Sequence, residues 1–139
     1  MSRHSESAHS ESARLKELEA FGALSETELE KVADAGTFLH LPANWSLMAE
    51  STPADKAYVI LSGEVEIRQH GQPVATVGAG GIIGEVGILE KRLRTASVIS
   101  RSELEVVHYT KEKLSELVDE VPALKDVLHA TAEAYPDHE

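Results

Sequence analysis

Residues 78–97 read GAGGIIGEVGILEKRLRTAS and interrupt a series of short β-type segments. Five of the nine glycines in the chain fall within the first ten of these residues. Glycine permits positive φ angles and lets a ligand approach the backbone closely. The apolar pair Ile88 and Leu89 suits a short helix that starts near Glu85, and a helix N-terminus presents N–H groups that attract anions. The stretch therefore indicates a small-anion site placed between strands.

Two charged side chains in this stretch suit the two halves of a nucleotide. Arg94 is a permanent cation whose fork of donors matches phosphate oxygens. Glu85 would repel a neighbouring phosphate unless a donor lay between them, and a ribose hydroxyl is such a donor. A glycine-rich loop closed by a Glu85–Arg94 ion pair, with nothing bound, is the alternative that these residues leave open.

The charge of the chain is unevenly distributed. Thirteen Lys and Arg against 24 Asp and Glu give a net charge of −11. Residues 82–101 hold four Lys and Arg against two Glu (4 − 2 = +2), so the rest of the chain carries −13. An acidic surface disfavours binding to nucleic acid and to anionic lipid, whereas a positive island within it suits a small anion.

Short strands are predicted for the middle of the chain. Segments rich in Val, Ile, Leu and Thr alternate with turn residues, and residues 64–68 alternate strictly between polar and apolar side chains. The pattern predicts strands at 37–41, 46–48, 58–61, 64–68, 74–77, 95–99 and 105–109. Several short strands at this spacing are typical of an antiparallel sandwich or barrel.

Helices are predicted on both sides of these strands. Ser25 and Glu28 form a capping box for a helix over Glu26–Ala35, which Gly36 ends. Thr110 can cap a second helix, and Pro122 separates it from a third. The third helix has an apolar face made of Leu124, Val127, Leu128 and Thr131.

The domain boundaries follow from composition. Residues 1–13 repeat the motif Ser-Glu-Ser-Ala and are too polar to pack, which predicts a disordered tail. Residues 14–135 are then expected to form a single domain, and residues 136–139 a short tail.

Several classes of function are disfavoured by what the chain lacks. It has no cysteine, which excludes disulfides and thiol chemistry and fits a reducing cytoplasm. Residues 1–13 have no apolar stretch and the chain has no apolar run long enough for a membrane span, so we expect neither a signal peptide nor a membrane protein. A metal enzyme with a similar β-roll would need a His-x-His motif and a Glu, but His40, His70 and His108 stand alone. No nucleophile–base pair is visible either, so we expect a protein that is not an enzyme and binds no metal.

Residues 84–97 resemble the phosphate-binding cassette of the cyclic nucleotide-binding domain family. The family pattern is Gly-Glu-Leu-Ala-Leu-Leu, about three free residues, then Pro-Arg-x-Ala followed by Thr or Ser. This chain reads GEVGIL, EKR and LRTAS without a gap. Residues 57–65, AYVILSGEV, resemble the strand–glycine–strand segment of the family. The resemblance covers roughly residues 15–134.

The chain departs from the family pattern at a few positions. Leu93 stands in place of the usual Pro, and Gly87 in place of the commoner Ala. Asn44 and Ser51 stand where family turns often have Gly, and Asn tolerates the left-handed conformation better than Ser does. None of these changes removes a group that would contact the ligand.

The resemblance implies a mainly β fold: an antiparallel β-roll (double-stranded β-helix or jelly roll) with N-terminal and C-terminal helices. It also implies a set of roles at the ligand. Glu85 would accept a hydrogen bond from the ribose 2′-hydroxyl, and Arg94 would bind the exocyclic phosphate oxygens. The tight turn at Gly84, the backbone near Val86, Gly87 and Ala96, and the Thr95 hydroxyl would complete the phosphate site. The expected lid residues are Leu128, Thr131 and Tyr135.

The expected function is that of a regulatory module that binds a cyclic nucleotide, with cAMP favoured and cGMP as the other candidate. Thr95 does not decide between them, because Thr at this position occurs in members that prefer either nucleotide. We expect an unidentified protein partner, no DNA and no membrane contact, and a monomer rather than a dimer. The alternative is a domain of the same fold that binds no nucleotide and serves as a protein interaction platform.

Overall fold

The computed structural model describes residues 14–18, 21–84, 94 and 96–134, with side chains described through Leu128. Within these residues, the secondary-structure elements follow one another as α1 (Glu26–Ala35), β1 (Thr37–Leu41), β2 (Ser46–Met48), β3 (Lys56–Ser62), β4 (Val65–Gln69), β5 (Gln72–Val77), β6 (Ile82–Ile83), β7 (Ser97–Ser100), β8 (Leu104–Thr110), α2 (Lys111–Glu120) and α3 (Pro122–Ala134). The predicted tails, most of the cassette and Tyr135 lie outside the described residues.

The strands form two antiparallel sheets of four strands each. One sheet has the order β1-β8-β3-β6 and the other the order β2-β7-β4-β5. All the described strand pairs are antiparallel. The prediction of a mainly β, antiparallel roll with flanking helices is confirmed.

The central strand β3 contributes to two separate cores because it is buried on both faces. Tyr58 and Ile60 point between the two sheets, where they meet residues such as Val65 and Val98 of the second sheet. Ala57, Val59 and Leu61 point the other way, into a core shared with the helices. Side chains alternate across a strand, so this division follows directly from the sequence AYVIL.

Local capping chemistry sets the helix boundaries. The Ser25 hydroxyl accepts a hydrogen bond from the Glu28 N–H (3.2 Å), and the Glu28 carboxylate accepts one from the Ser25 N–H (2.8 Å). The Thr110 hydroxyl caps α2 by accepting from the Lys113 N–H (3.1 Å). Pro122 is the first residue of α3, where its missing N–H has no intrahelical partner to lose. The predicted capping box and Thr110 cap are confirmed.

Gly36 ends α1, as the sequence predicts. Its backbone is extended there, with a φ of −104°. Glycine suits this position because a Cβ atom would lie 2.4 Å from Val107 Cγ1. Position 36 therefore requires glycine because a side chain there would clash with β8, and the local sequence does not reveal this requirement.

The limits of β3, β4, β5, β7 and β8 differ from the prediction by one or two residues at one or both ends. The structure also adds β6, whose two residues pair with Tyr58 and Val59. β5 begins at Gln72, so that Pro73 lies inside the strand. A proline is tolerated there because β5 is at the edge of its sheet, and the register shifts beside it.

Candidate functional site

Arg94 is buried at one end of the roll, with only 4% of its surface exposed. Its Nη1 donates to the Gly84 carbonyl oxygen (2.7 Å), and its Nη2 donates to the Lys56 carbonyl oxygen. A guanidinium is costly to bury unless its donors are satisfied, and carbonyl oxygens satisfy donors without neutralising the charge. One side chain thus joins the start of β3 to the residue that follows β6, and brings a positive charge between them.

The backbone of Arg94 is held as firmly as its side chain. Its N–H donates to the Thr52 carbonyl oxygen (2.9 Å), and its carbonyl oxygen accepts from the Ser51 N–H (2.8 Å). Ser51 has a φ of +65°, and Asn44 a φ of +63°. The two positions where family turns often have Gly therefore adopt the left-handed conformation with other residues.

Gly84 requires both its unusual backbone and its lack of a side chain. Its φ is +89°, which L side chains rarely adopt. A Cβ atom would lie 2.8 Å from the Lys56 carbonyl oxygen and 2.9 Å from both Arg94 Nη1 and Met48 Cε. The glycine therefore lets the backbone of residue 84 contact the guanidinium directly.

A cleft of about 300 Å³ opens beside Arg94. This volume is at the lower end of the range of roughly 300–1,000 Å³ that small-molecule sites occupy. The cleft is lined by β2, by the connection to β3 and by Arg94, and the described residues are Ser46, Leu47, Met48, Ala49, Thr52, Pro53, Asp55, Lys56 and Arg94. It combines apolar side chains with the cationic residues Lys56 and Arg94 and the carboxylate of Asp55. The net positive charge of this lining suits a ligand that has an apolar part and a negative charge.

Tyr58 and His108 lie opposite each other on neighbouring strands near this end of the roll. Their rings meet edge to face, with centroids 5.3 Å apart. Burial raises the pKa of Tyr58, Asp55 raises it further, and Arg94 lowers it. Burial also lowers the pKa of His108, and Lys56 lowers it further while Asp55 opposes this. The charges of Asp55, Lys56 and Arg94 therefore act on a shared region around these two rings.

We expect the lowered pKa of His108 to make stability depend on pH. Above the unfolded pKa of about 6.5, the ring is neutral in both states and its contribution is fully present. As the pH falls below that value, the unfolded chain takes up the proton before the folded chain does, and the contribution is lost progressively until the pH is below the lower folded pKa. Between about pH 7.5 and pH 5.5, denaturant unfolding should therefore show a smaller loss of stability for His108→Gln than for the unmodified chain.

The control for this experiment is His70→Gln. The His70 side chain is 92% exposed, so its 3.7 Å contact with the Glu50 carboxylate contributes little to stability. Between the two pH values, this variant should lose about as much stability as the unmodified chain does. An equal loss of stability in the His108→Gln and unmodified proteins would contradict the expected role of His108.

The structure describes three residues that the sequence assigned to the phosphate site, and it brings two of them into contact. Gly84 and Arg94 are in contact, and Ala96 is 3% exposed in the core between the sheets. Glu85, Val86, Gly87 and Thr95 lie outside the described residues. The predicted lid residue Leu128 is buried between the helices and the first sheet, whereas Tyr135 and the side chain of Thr131 are not described.

Sequence reasoning missed the contribution of Lys56 to this site. The carbonyl oxygen of Lys56 holds Arg94, although the two residues are 38 positions apart. The fold alone creates this contact, so the sequence offers no local signal for it.

Two further findings concern only the described residues. These residues contain no group of three or more metal-ligating side chains, and none of their helices is both long enough and apolar enough to cross a bilayer.

Comparison with known proteins identifies the family. The family model for the cyclic nucleotide-binding domain matches residues 38–121, more than half of the chain. The chain therefore belongs to the cyclic nucleotide-binding domain family. The resemblance seen in residues 84–97 is confirmed.

Characterised relatives include regulatory subunits of the cAMP-dependent protein kinase. That of Aspergillus niger is 29% identical over 109 residues, which are 77% of this chain and 26% of that protein. That of Emericella nidulans is 31% identical over 109 residues, with the same shares of 77% and 26%. The chain thus spans about a quarter of the length of these curated relatives.

Solved structures share the fold. The regulatory domain of Toxoplasma gondii PKA, crystallised with cAMP, superposes with a TM-score of 0.80 at 20% identity. The match covers 94% of this chain and 51% of that one. Agreement at this level of identity supports the β-roll with flanking helices.

Proposed function

We propose that this chain is a regulatory module that binds a cyclic mononucleotide and is not an enzyme. Arg94 would bind the exocyclic phosphate oxygens, and Glu85 would accept a hydrogen bond from the ribose 2′-hydroxyl. The observation that carries this proposal is the 2.7 Å hydrogen bond from buried Arg94 to the carbonyl oxygen of Gly84. Because Gly84 directly precedes Glu85 in the chain, this contact supports assigning both charged positions of the motif to one ligand.

The remaining phosphate contacts would come from the backbone near Val86, Gly87 and Ala96 and from the Thr95 hydroxyl. Ala96 lies two residues after Arg94, and its buried side chain anchors this stretch of backbone in the core between the sheets, which supports this arrangement. We place the lid on the C-terminal helix, with Leu128 as its anchor in the core and Thr131 and Tyr135 nearer to the base. These assignments rest on the family motif and on the position of α3 against the first sheet.

We propose cAMP as the preferred ligand and cGMP as the weaker one. The relatives named above are cAMP-dependent kinase subunits, and one solved structure of the same fold contains cAMP. Residues 14–135 would form a single domain that acts in the cytoplasm as a monomer. The bound state would be read by a protein partner, since a net charge of −11 disfavours DNA and anionic membranes.

The ribose contact is tested by pairing a protein variant with a ligand variant. Removing a hydrogen bond to a charged group costs about 1.5–3 kcal/mol, which is roughly a 10- to 150-fold loss of affinity. We expect 2′-deoxy-cAMP to bind the unmodified chain more weakly than cAMP by about this factor. In Glu85→Ala, the two ligands should bind with nearly equal affinity, as measured by calorimetry.

The matched control is Glu90→Ala, which removes the other carboxylate of the cassette. This variant should keep the full preference for cAMP over 2′-deoxy-cAMP. If Glu85→Ala kept that preference as well, the assignment of Glu85 to the ribose would be wrong.

A further inference from the structure

Lys56 lies next to Arg94 at the start of β3. Its carbonyl oxygen accepts a hydrogen bond from Arg94 Nη2, and both residues line the same cleft. In β3, Ala57 faces the helices and Tyr58 faces the space between the sheets. Side chains alternate along a strand, so Lys56 is on the same face as Tyr58.

The ammonium group of Lys56 contributes positive charge to this region. It lowers the pKa of His108, which lies opposite Tyr58 on the neighbouring strand. Lys56 is half-buried, and among the described residues no carboxylate forms an ion pair with it within 4.0 Å. Asp55, which also lines the cleft, is the nearest negative charge in sequence.

We propose that Lys56 is a second cationic residue of the ligand site, which acts on the same phosphate as Arg94 from the side of the cleft. This proposal rests on the proposed function and adds a specific residue to it. Arg94 is buried and held by two carbonyl oxygens, so it provides a fixed charge. Lys56 is a flexible, partly exposed cation that can move onto the phosphate once the nucleotide is bound.

The charge of Lys56 is tested by titrating the chain with cAMP in a calorimeter at low and at physiological salt. We expect Lys56→Gln to bind cAMP about tenfold more weakly at low salt, because a partly desolvated charge contributes more than an exposed one. The difference should shrink as salt rises, since salt screens charges that remain accessible to solvent. Lys56→Arg keeps the charge and should restore most of the affinity.

The matched control is Lys31→Gln, which removes the same charge from an exposed position on α1. It should leave the affinity for cAMP unchanged. A Lys56→Gln protein that binds cAMP as well as Lys31→Gln does would overturn the role of Lys56 while leaving the proposed function intact. If the unmodified chain bound neither cAMP nor cGMP, both proposals would be wrong.

A second measurement does not depend on nucleotide binding. NMR titration of the His108 ring in the ligand-free protein should show a higher pKa in Lys56→Gln than in the unmodified chain, because a neighbouring positive charge is lost. The Lys31→Gln protein should not show this change. An unchanged pKa in Lys56→Gln would overturn the placement of the ammonium group on this face.

Discussion

Replacing Arg94 with Ala is expected to weaken the binding of cAMP from about 30-fold to a few thousand-fold. This range corresponds to the roughly 2–5 kcal/mol lost when one partner of a buried charged contact is removed. The reason is the position of the guanidinium, which is 4% exposed and fixed by the carbonyl oxygens of Gly84 and Lys56. Calorimetric titration with cAMP measures the effect.

Two further variants separate binding from folding. Arg94→Lys keeps the charge but has no fork of donors. We expect this variant to fold and to bind cAMP, but with a lower affinity than the unmodified chain. Arg101→Ala removes an arginine whose side chain is 52% exposed and which contacts Glu66 instead. It should bind cAMP normally. A folded Arg94→Ala protein that binds cAMP as tightly as the unmodified chain would contradict the assignment of Arg94 to the phosphate.

Replacing Gly84 with Ala is expected to reduce the affinity for cAMP by at least about tenfold and to lower the thermal stability. The added Cβ atom would lie 2.8 Å from the Lys56 carbonyl oxygen and 2.9 Å from Arg94 Nη1. To make room, the guanidinium has to move away from the position in which it would meet the phosphate. Calorimetry and a thermal melt measure the two effects.

Gly80→Ala is a close control for this substitution. Gly80 has a φ of +91°, almost the same as the +89° of Gly84, but a Cβ atom there would have no neighbour within 4 Å. Both variants therefore carry a similar backbone penalty, and only Gly84→Ala adds the contact with Arg94. Equal affinities for cAMP in the two variants would contradict the geometry described for the site.

The parts of the fold that depend on local chemistry could be predicted from the sequence. The helix Glu26–Ala35 was predicted with its observed limits because Ser25 and Glu28 cap it within one turn. The strand interiors were predicted because their apolar side chains alternate or run continuously. The short strand β6 could not be predicted, because Ile82 and Ile83 lie between glycines and form a strand only by pairing with Tyr58 and Val59.

The candidate site also contains some residues that the sequence could predict and others that it could not. Arg94 and Gly84 could be predicted because they lie in one motif, and the structure places them in contact. Lys56 and His108 could not be predicted, because their roles depend on which residues face each other across neighbouring strands. His108 meets Tyr58 only through the register of β3 and β8, which no local pattern in the sequence reveals.

The most direct test of the account is a calorimetric titration of the unmodified chain with cAMP and, separately, with cGMP. We predict that cAMP binds with a dissociation constant of about 1 μM or lower, which corresponds to about −8 kcal/mol, and that cGMP binds more weakly. Tighter binding of cGMP would reverse the ligand preference but keep the nucleotide site. The absence of both heat and a thermal shift with either nucleotide would contradict the central claim.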